Sequence, residues 1–238
     1  MTLSAPDPGL VDKLVVANRI LYGRGVVDGF GHVSARHDKS PGHFLLARNL
    51  APGLVRRDDI MVFDLDAVAL DGAGRRVYLE RFIHGEIYRA RPDVQAIVHS
   101  HSPSVIPFGV TRYPLRPVFH ASGFLGEGAA LFEIREVAAD TDMLISTGAL
   151  GAALARTLGS RSAVLMRGHG STIVGVSLEQ VVYRAIYAEV NAKLQIQAIS
   201  LGEVTYLNEQ EAAYAASAND TQLARNWELW QREIGPVE

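Results

Sequence analysis

The sequence predicts an α/β domain in which a mixed sheet is covered by helices, and three observations carry that prediction. Short segments of strand character and longer stretches of helical period alternate irregularly along the chain. Of the 238 residues, 48% are apolar and 21% charged, ordinary globular proportions that exclude disorder, collagen and coiled coil. No Pro/Gly/Ser-rich or charge-rich stretch divides the chain, so residues 1–238 read as one domain.

The elements follow in order. Leu10, Leu14, Ala17 and Leu21 share one face at helical spacing, and Gly23 and Gly25 stop that helix. A meander of short strands is expected at residues 32–36, 44–47 and 60–65, the last closed by the turn-rich DLDAVALDGAG. In LERFIHGEIYRARPDV, Phe82, Ile83, Ile87 and Ala90 make a helical stripe that must stop near Arg91, because Pro92 disfavours helix at the residue before it. A strand over 96–100 follows directly. Next come a helix over 148–158, an apolar strand over 163–166, the tight RGHGS turn and the strand-like STIVGV. Ser177 with Gln180 forms a capping-box pattern that opens a long helix, 178–201, ended by Gly202; Asn208 with Glu211 opens a final helix to about Trp230.

Composition narrows the chemistry. Lys and Arg number 23 against 26 Asp and Glu, a net charge of -3, which gives a nucleic-acid partner no electrostatic support. The opening MTLSAPDPGL has no cationic segment followed by an apolar stretch, and no run reaches the roughly 18 apolar residues of a membrane span, so a cytoplasmic protein without membrane partners is expected. There are no cysteines and eight histidines. Disulfides, thiol nucleophiles and thiolate metal sites are thereby excluded, and any metal must sit in a nitrogen and oxygen shell.

The strongest chemical signal is VHSHS. Residues two apart on a strand point to one face with Cα atoms about 6.6 Å apart, so His99 and His101 either aim two imidazoles at one point or occupy an exposed strand side. In RGHGS, Gly168 and Gly170 flank His169 and allow a tight turn that presents one imidazole, or form a plain glycine turn. Glu80 opens a helix, where a carboxylate complements the helix dipole. A helix packed antiparallel to the 96–100 strand would also return Glu80 close to the histidines, and three imidazoles with a carboxylate at hand make an open catalytic metal site.

The run ERFIHGEIYRARPDVQAIVHSHSPS, the later RGHGS, the early FGHVSARH and the segment DDIMVFDLD resemble, in that order, the class II aldolase and adducin family along nearly the whole chain. The resemblance implies a three-layer α/β/α domain around a mainly antiparallel sheet, commonly a homotetramer with active sites near subunit interfaces. It also implies a divalent metal (Zn, Mn, Co or Fe) gathered by Glu80, His99, His101 and His169. Sugar-phosphate members carry a Gly-Asn pair and a Thr-Pro-Ser-Gly-like segment that bind phosphate; here those places read Gly31-His32 and Leu46-Ala47-Arg48-Asn49. A non-phosphorylated carboxylate substrate is expected instead, with Arg48, His32, Ser34, Arg36 and Arg116 as candidate contacts.

LRPVFHASGFLG, SHSPSVIPFGV and RAIYAEVNAKLQIQA resemble a subgroup that contains decarboxylases of aromatic or ring-cleavage carboxylic acids. His120 is then a candidate proton donor, alongside Glu80. Aldol cleavage and decarboxylation share one hard step, the departure of a carbon fragment that leaves an electron pair beside an oxygen, and a divalent cation on that oxygen serves either. The expected function is a metal-dependent decarboxylase of an aromatic or dienoic hydroxy- or oxo-carboxylate. The alternatives are an aldolase for small unphosphorylated 2-oxo acids, an iron-dependent oxygenase and a non-catalytic, adducin-like interaction domain. Tyr206, Tyr214, Trp227 and Trp230 are suited either to a subunit interface or to packing within the chain, and His37, His43 and His84 need no role beyond surface or packing.

Overall fold

The computed structural model describes residues 4–236. Helix α1 (Pro8–Gly23) starts where Asp7 accepts the backbone N–H groups of Gly9 and Leu10 through its side chain. It buries Leu14, Ala17 and Leu21. Strands β1 (His32–Arg36), β2 (His43–Ala47) and β3 (Ile60–Asp64) form an antiparallel meander, with Ser34 opposite Leu46 and Leu45 opposite Val62. Helix α2 (Phe82–Ala90) ends before Pro92, and β4 (Ala96–Ser100) enters the centre of the sheet beside β1, with His32 directly opposite His99.

The second half completes the sheet. Helix α3 (Gly148–Leu158) lies N-terminal to β6 (Ala163–Met166), and β7 (Gly170–Gly175) returns antiparallel between β6 and β4. A three-residue strand, β5 (Ala130–Phe132), adds to the edge parallel to β6. The seven-stranded order is β3-β2-β1-β4-β7-β6-β5, antiparallel at every pairing but that one. Alternation along β1 decides which face meets which helix: Ser34 bonds to α2, whereas α1 packs on the other side together with α4 (Leu178–Leu201). The layered α/β/α arrangement with a mainly antiparallel sheet is the expected one.

Two local expectations change. Ser177 caps α4 through Gln180 N–H, but the Gln180 side chain reaches past it to accept from Val176 N–H. The expected single C-terminal helix is two, α5 (Glu209–Asp220), which does open with the Asn208/Glu211 capping box, and α6 (Leu223–Ile234). The chain turns at Thr221 and Gln222, whose N–H groups bond to Ala218 and Asn219 carbonyls. That turn brings Trp227 and Trp230 back onto the core, Trp230 against Tyr187 with ring centroids 6.4 Å apart. Both tryptophans are buried within the chain, and only Tyr214 of the four aromatic residues is largely exposed. No helix among the described residues is long and apolar enough to cross a membrane.

Candidate metal centre and cavity

Glu80, His99, His101 and His169 meet at one point, their ligand atoms all within 4.8 Å of one another. Three separate pieces of the fold deliver them. His99 is the penultimate residue of β4, and His101 stands just beyond the strand end with its alternation intact. Glu80 comes from a short 3-10 turn, Leu79–Arg81, whose non-helical φ of -90° and ψ of 19° at Glu80 set the carboxylate off from α2 proper. His169 sits in the turn between β6 and β7. Gly168 there has φ +65°, and a Cβ at Gly170 would strike the Ser100 carbonyl oxygen, so glycine is what lets this turn lie against the HxH strand.

Hydrogen bonds fix what the imidazoles offer. His99 Nδ1–H donates to the Ser171 carbonyl (3.1 Å) and His169 Nδ1–H to the Met143 carbonyl (2.9 Å). The Nε2 of each therefore turns a lone pair inward. Those atoms lie 3.2 and 2.9 Å from His101 Nε2, and each is 3.4 Å from Glu80 Oε2. His101 can donate one hydrogen to only one of them, so lone pairs and a carboxylate oxygen are left crowding a single buried point. A divalent cation resolves that crowding, and the nitrogen and oxygen donor set suits one. Burial pushes the Glu80 pKa up, but the charge that His99 and His169 carry when protonated outweighs it and holds the carboxyl well below the ordinary range, with Ile145 N–H adding a 2.9 Å bond to Oε1; a cation bound by the imidazoles would exert the same pull. Glu80 is thus an ionised carboxylate.

Beside the cluster lies a cavity of about 350 Å³, whose walls include His32, Tyr78, Phe30, Leu144, Glu80 and His101. That volume suits a small aromatic acid. His32 is buried, its ring 4.7 Å from Tyr78 and 5.0 Å from His99 between centroids. Burial, then His84 and His99, push its pKa well below the usual histidine value.

The other expected contacts stand elsewhere. Arg36 is buried at the far end of β1, its guanidinium donating to the carbonyls of Val94, Pro41, Tyr88 and Arg91. It closes the C-terminal end of α2 rather than meeting a ligand. Ser34 is fully buried and bonds to His84 and Tyr88, one layer behind the cavity wall. Arg48 pairs with Asp59 at 2.6 Å, adjacent to the cavity residue Asn49 but not itself a wall. Arg116 stacks over Tyr206 at 4.5 Å, tied to α4 through Gln195 and Asn191. His120 begins the 3-10 turn His120–Leu125, exposed beside Phe119 and outside the cavity wall. In the other direction, His84, expected to need no role beyond surface or packing, is fully buried and hydrogen-bonded to His32 and Ser34. Its place on the Ser34 side of β1 was not readable, since α2 and β1 are far apart in sequence.

Residues 12–196 match the model of the class II aldolase and adducin N-terminal domain, and the chain belongs to that family. Within it, the chain is 37% identical to decarboxylase tropJ of Talaromyces stipitatus over 98% of its own length and 96% of that protein's. It is 32% identical to a 3,4-dihydroxyphthalate decarboxylase of Arthrobacter keyseri, over 82% and 80% of the two chains. Among solved structures, L-fuculose 1-phosphate aldolase from Glaciozyma antarctica superposes with a TM-score of 0.78 at 26% identity, covering 95% of this chain and 90% of that one. Family, decarboxylase relatives and an intact His/Glu cluster make this a carbon–carbon lyase of the class II aldolase type.

Proposed function

We propose that the protein is a metal-dependent decarboxylase of a non-phosphorylated aromatic hydroxycarboxylate, with His99, His101 and His169 as metal ligands and Glu80 as the proton-transfer group. The observation that carries this reading is the pairing of the cluster with its wall. The residues lining the cavity, among those described, include imidazole, phenol and apolar side chains but no lysine or arginine to neutralise a phosphate. A divalent cation held by the three imidazoles supplies Lewis-acid stabilisation of the electron pair that the departing carboxylate leaves on the ring.

The chain's own residues do the rest. Glu80, facing the cluster through Oε2, takes the proton of a substrate hydroxyl whose own acidity a cation held by the imidazoles would raise. When the carbon–carbon bond breaks and carbon dioxide leaves, its electron pair stays on the ring, and Glu80 returns the same proton to that carbon. Phe30 and Tyr78 give the cavity wall aromatic surface against which a substrate ring can pack. Aldol cleavage would use the same cluster, but the Talaromyces stipitatus and Arthrobacter keyseri relatives, matched over four fifths or more of their length, are named decarboxylases, which favours loss of carbon dioxide.

Assembly as a homo-oligomer, a tetramer by family resemblance, belongs to the same proposal. Its support is Phe30, 70% exposed at the cavity mouth and 6.0 Å from the His101 ring. The deciding experiment offers manganese- or zinc-loaded protein 3,4-dihydroxyphthalate and a panel of dihydroxybenzoates, and measures carbon dioxide. Release that His99→Ala abolishes supports the reading; an aldehyde product from 2-oxo acids with no gas from any aromatic acid overturns it. Light scattering on the same sample gives the subunit number.

A further inference from the structure

We propose that His32 is the hydrogen-bond donor that holds the substrate oxygen on which charge develops, its Nε2–H aimed into the cavity by a buried chain of His84, Ser34 and Tyr88. The inference rests on the lyase reading of the cavity. The chain is continuous: His32 Nδ1 lies 2.6 Å from His84 Nε2, His84 Nδ1 lies 2.6 Å from Ser34 Oγ, and Ser34 Oγ lies 2.9 Å from Tyr88 OH. His84 and Ser34 are 0% exposed and Tyr88 1%, so no solvent enters it.

One hydrogen fits in each link, which leaves the chain only two polarities. If His32 Nδ1 carried the hydrogen, donation would run inward through His84 and Ser34 to Tyr88. The Tyr88 hydroxyl has Ser34 Oγ as its sole partner among the described residues, so its own hydrogen would then be buried without an acceptor. Run outward, Tyr88 donates to Ser34, Ser34 to His84 Nδ1, and His84 Nε2–H to His32 Nδ1, so every hydrogen inside the chain is used and the one left over, on His32 Nε2, lies at the cavity wall where a ligand or water can accept it. On the scale of one unmade buried bond, the outward polarity is favoured by roughly tenfold or more.

With Nδ1 accepting, the one hydrogen of neutral His32 sits on Nε2. That nitrogen has no partner among the described residues, and the ring lines the cavity. The chain sets polarity and does not conduct protons, because burial pushes the Tyr88 phenol up and keeps its hydrogen in place. His32 faces His99 across the β1–β4 pairing, ring centroids 5.0 Å apart. A ligand with oxygens on neighbouring carbons therefore reaches the metal centre with one and His32 with the other. A fixed neutral donor at that second oxygen stabilises developing negative charge without reorganisation. His32 is a catalytic residue by this account; His84, Ser34 and Tyr88 position it.

Neutron diffraction from deuterium-exchanged, zinc-loaded crystals tests the polarity without any substrate. A deuteron on His32 Nε2 and none on Nδ1 is expected, and a deuteron on Nδ1 overturns the inference whatever the reaction. Kinetics with 3,4-dihydroxyphthalate test the role. His32→Phe is expected to lower kcat roughly a hundredfold at unchanged zinc content, and His32→Gln, which restores an N–H at similar reach, to recover at least tenfold of that. Ser34→Ala, which frees the polarity, should lower kcat roughly tenfold with little change in KM. Equal rates for His32→Gln and His32→Phe overturn the donor role. A wild-type protein that releases no carbon dioxide overturns the decarboxylase reading alone, and the deuteron position still decides the polarity.

Discussion

The Met143 carbonyl oxygen lies 2.9 Å from His169 Nδ1, and this bond turns the Nε2 lone pair of His169 towards His101 and Glu80. It depends on Met143 standing at φ 73°, a left-handed conformation that asparagine tolerates and β-branched residues resist. Met143→Asn is therefore expected to keep its metal. Met143→Val must swing the carbonyl away and should lower metal affinity roughly 10–100-fold, the usual consequence of losing a ligating histidine's outer partner. Competition against a chromogenic chelator reads both, and equal affinities for the two variants would break the connection.

The close approach of the RGHGS turn to the HxH strand gives a second prediction. A methyl group at Gly170 meets the Ser100 carbonyl oxygen and lies 3.1 Å from His101 Cδ2, both part of the wall that orients the ligands. Gly170→Ala should cost about 1–3 kcal/mol of stability through overpacking and reduce the metal bound per chain. Gly42→Ala, where a Cβ meets nothing within 4 Å, is the matched control and should stay within about 0.5 kcal/mol of wild type. Denaturant unfolding with metal analysis on the same samples separates the two, and a fully metallated, wild-type-stable Gly170→Ala would contradict the packing argument.

Removal of the metal should loosen the fold as well as stop turnover. Without a cation, the inward lone pairs of His99 and His169 face each other and the ionised Glu80 at 3.4 Å. A cation present at about 100 times its Kd adds about 2.7 kcal/mol to stability. For a domain of this size that is about 5–10 °C in Tm. Differential scanning calorimetry before and after chelation, and after zinc is restored, checks it; identical melting curves would mean that the cluster binds no cation.

Much of the fold was legible because its signals are local. Period and punctuation place α1, α2, α3 and α4, and the HxH strand and GHG turn single out three of the four clustered side chains as candidates, which the family resemblance joins to Glu80. What was not legible depends on contacts distant in sequence. β5 is three residues long and exists through its pairing with β6. The turn at Thr221 and Gln222 contains no Gly or Pro and is dictated by the burial of Trp227 and Trp230. His84 looked like an ordinary helix residue, and only the packing of α2 on β1 turns it into His32's partner. Arg36 failed for a related reason. Alternation puts it on the same face as His32 and Ser34, but four residues of strand carry it about 13 Å from His32, under the end of α2 instead of beside the cavity.

That displacement makes Arg36 a test of structural against ligand-binding roles. Its guanidinium donates to the Tyr88 and Arg91 carbonyls at 2.8 and 3.0 Å, where α2 ends, and to Val94 and Pro41 at 2.9 and 2.6 Å. The bonds to Val94 and Tyr88 are buried and those to Pro41 and Arg91 partly so, and a cation at a helix C-terminus also complements the dipole. Arg36→Met keeps the apolar stem but leaves the carbonyls unmet, at a cost of about 2–4 kcal/mol. The expected result is a Tm lowered by about 5–15 °C. At a temperature where the variant remains folded, KM for the carboxylate substrate should stay within about twofold of wild type, because the charge never reaches the cavity. A KM raised tenfold or more with Tm unchanged would return Arg36 to the substrate, and would require β1 to present its C-terminal end to the ligand.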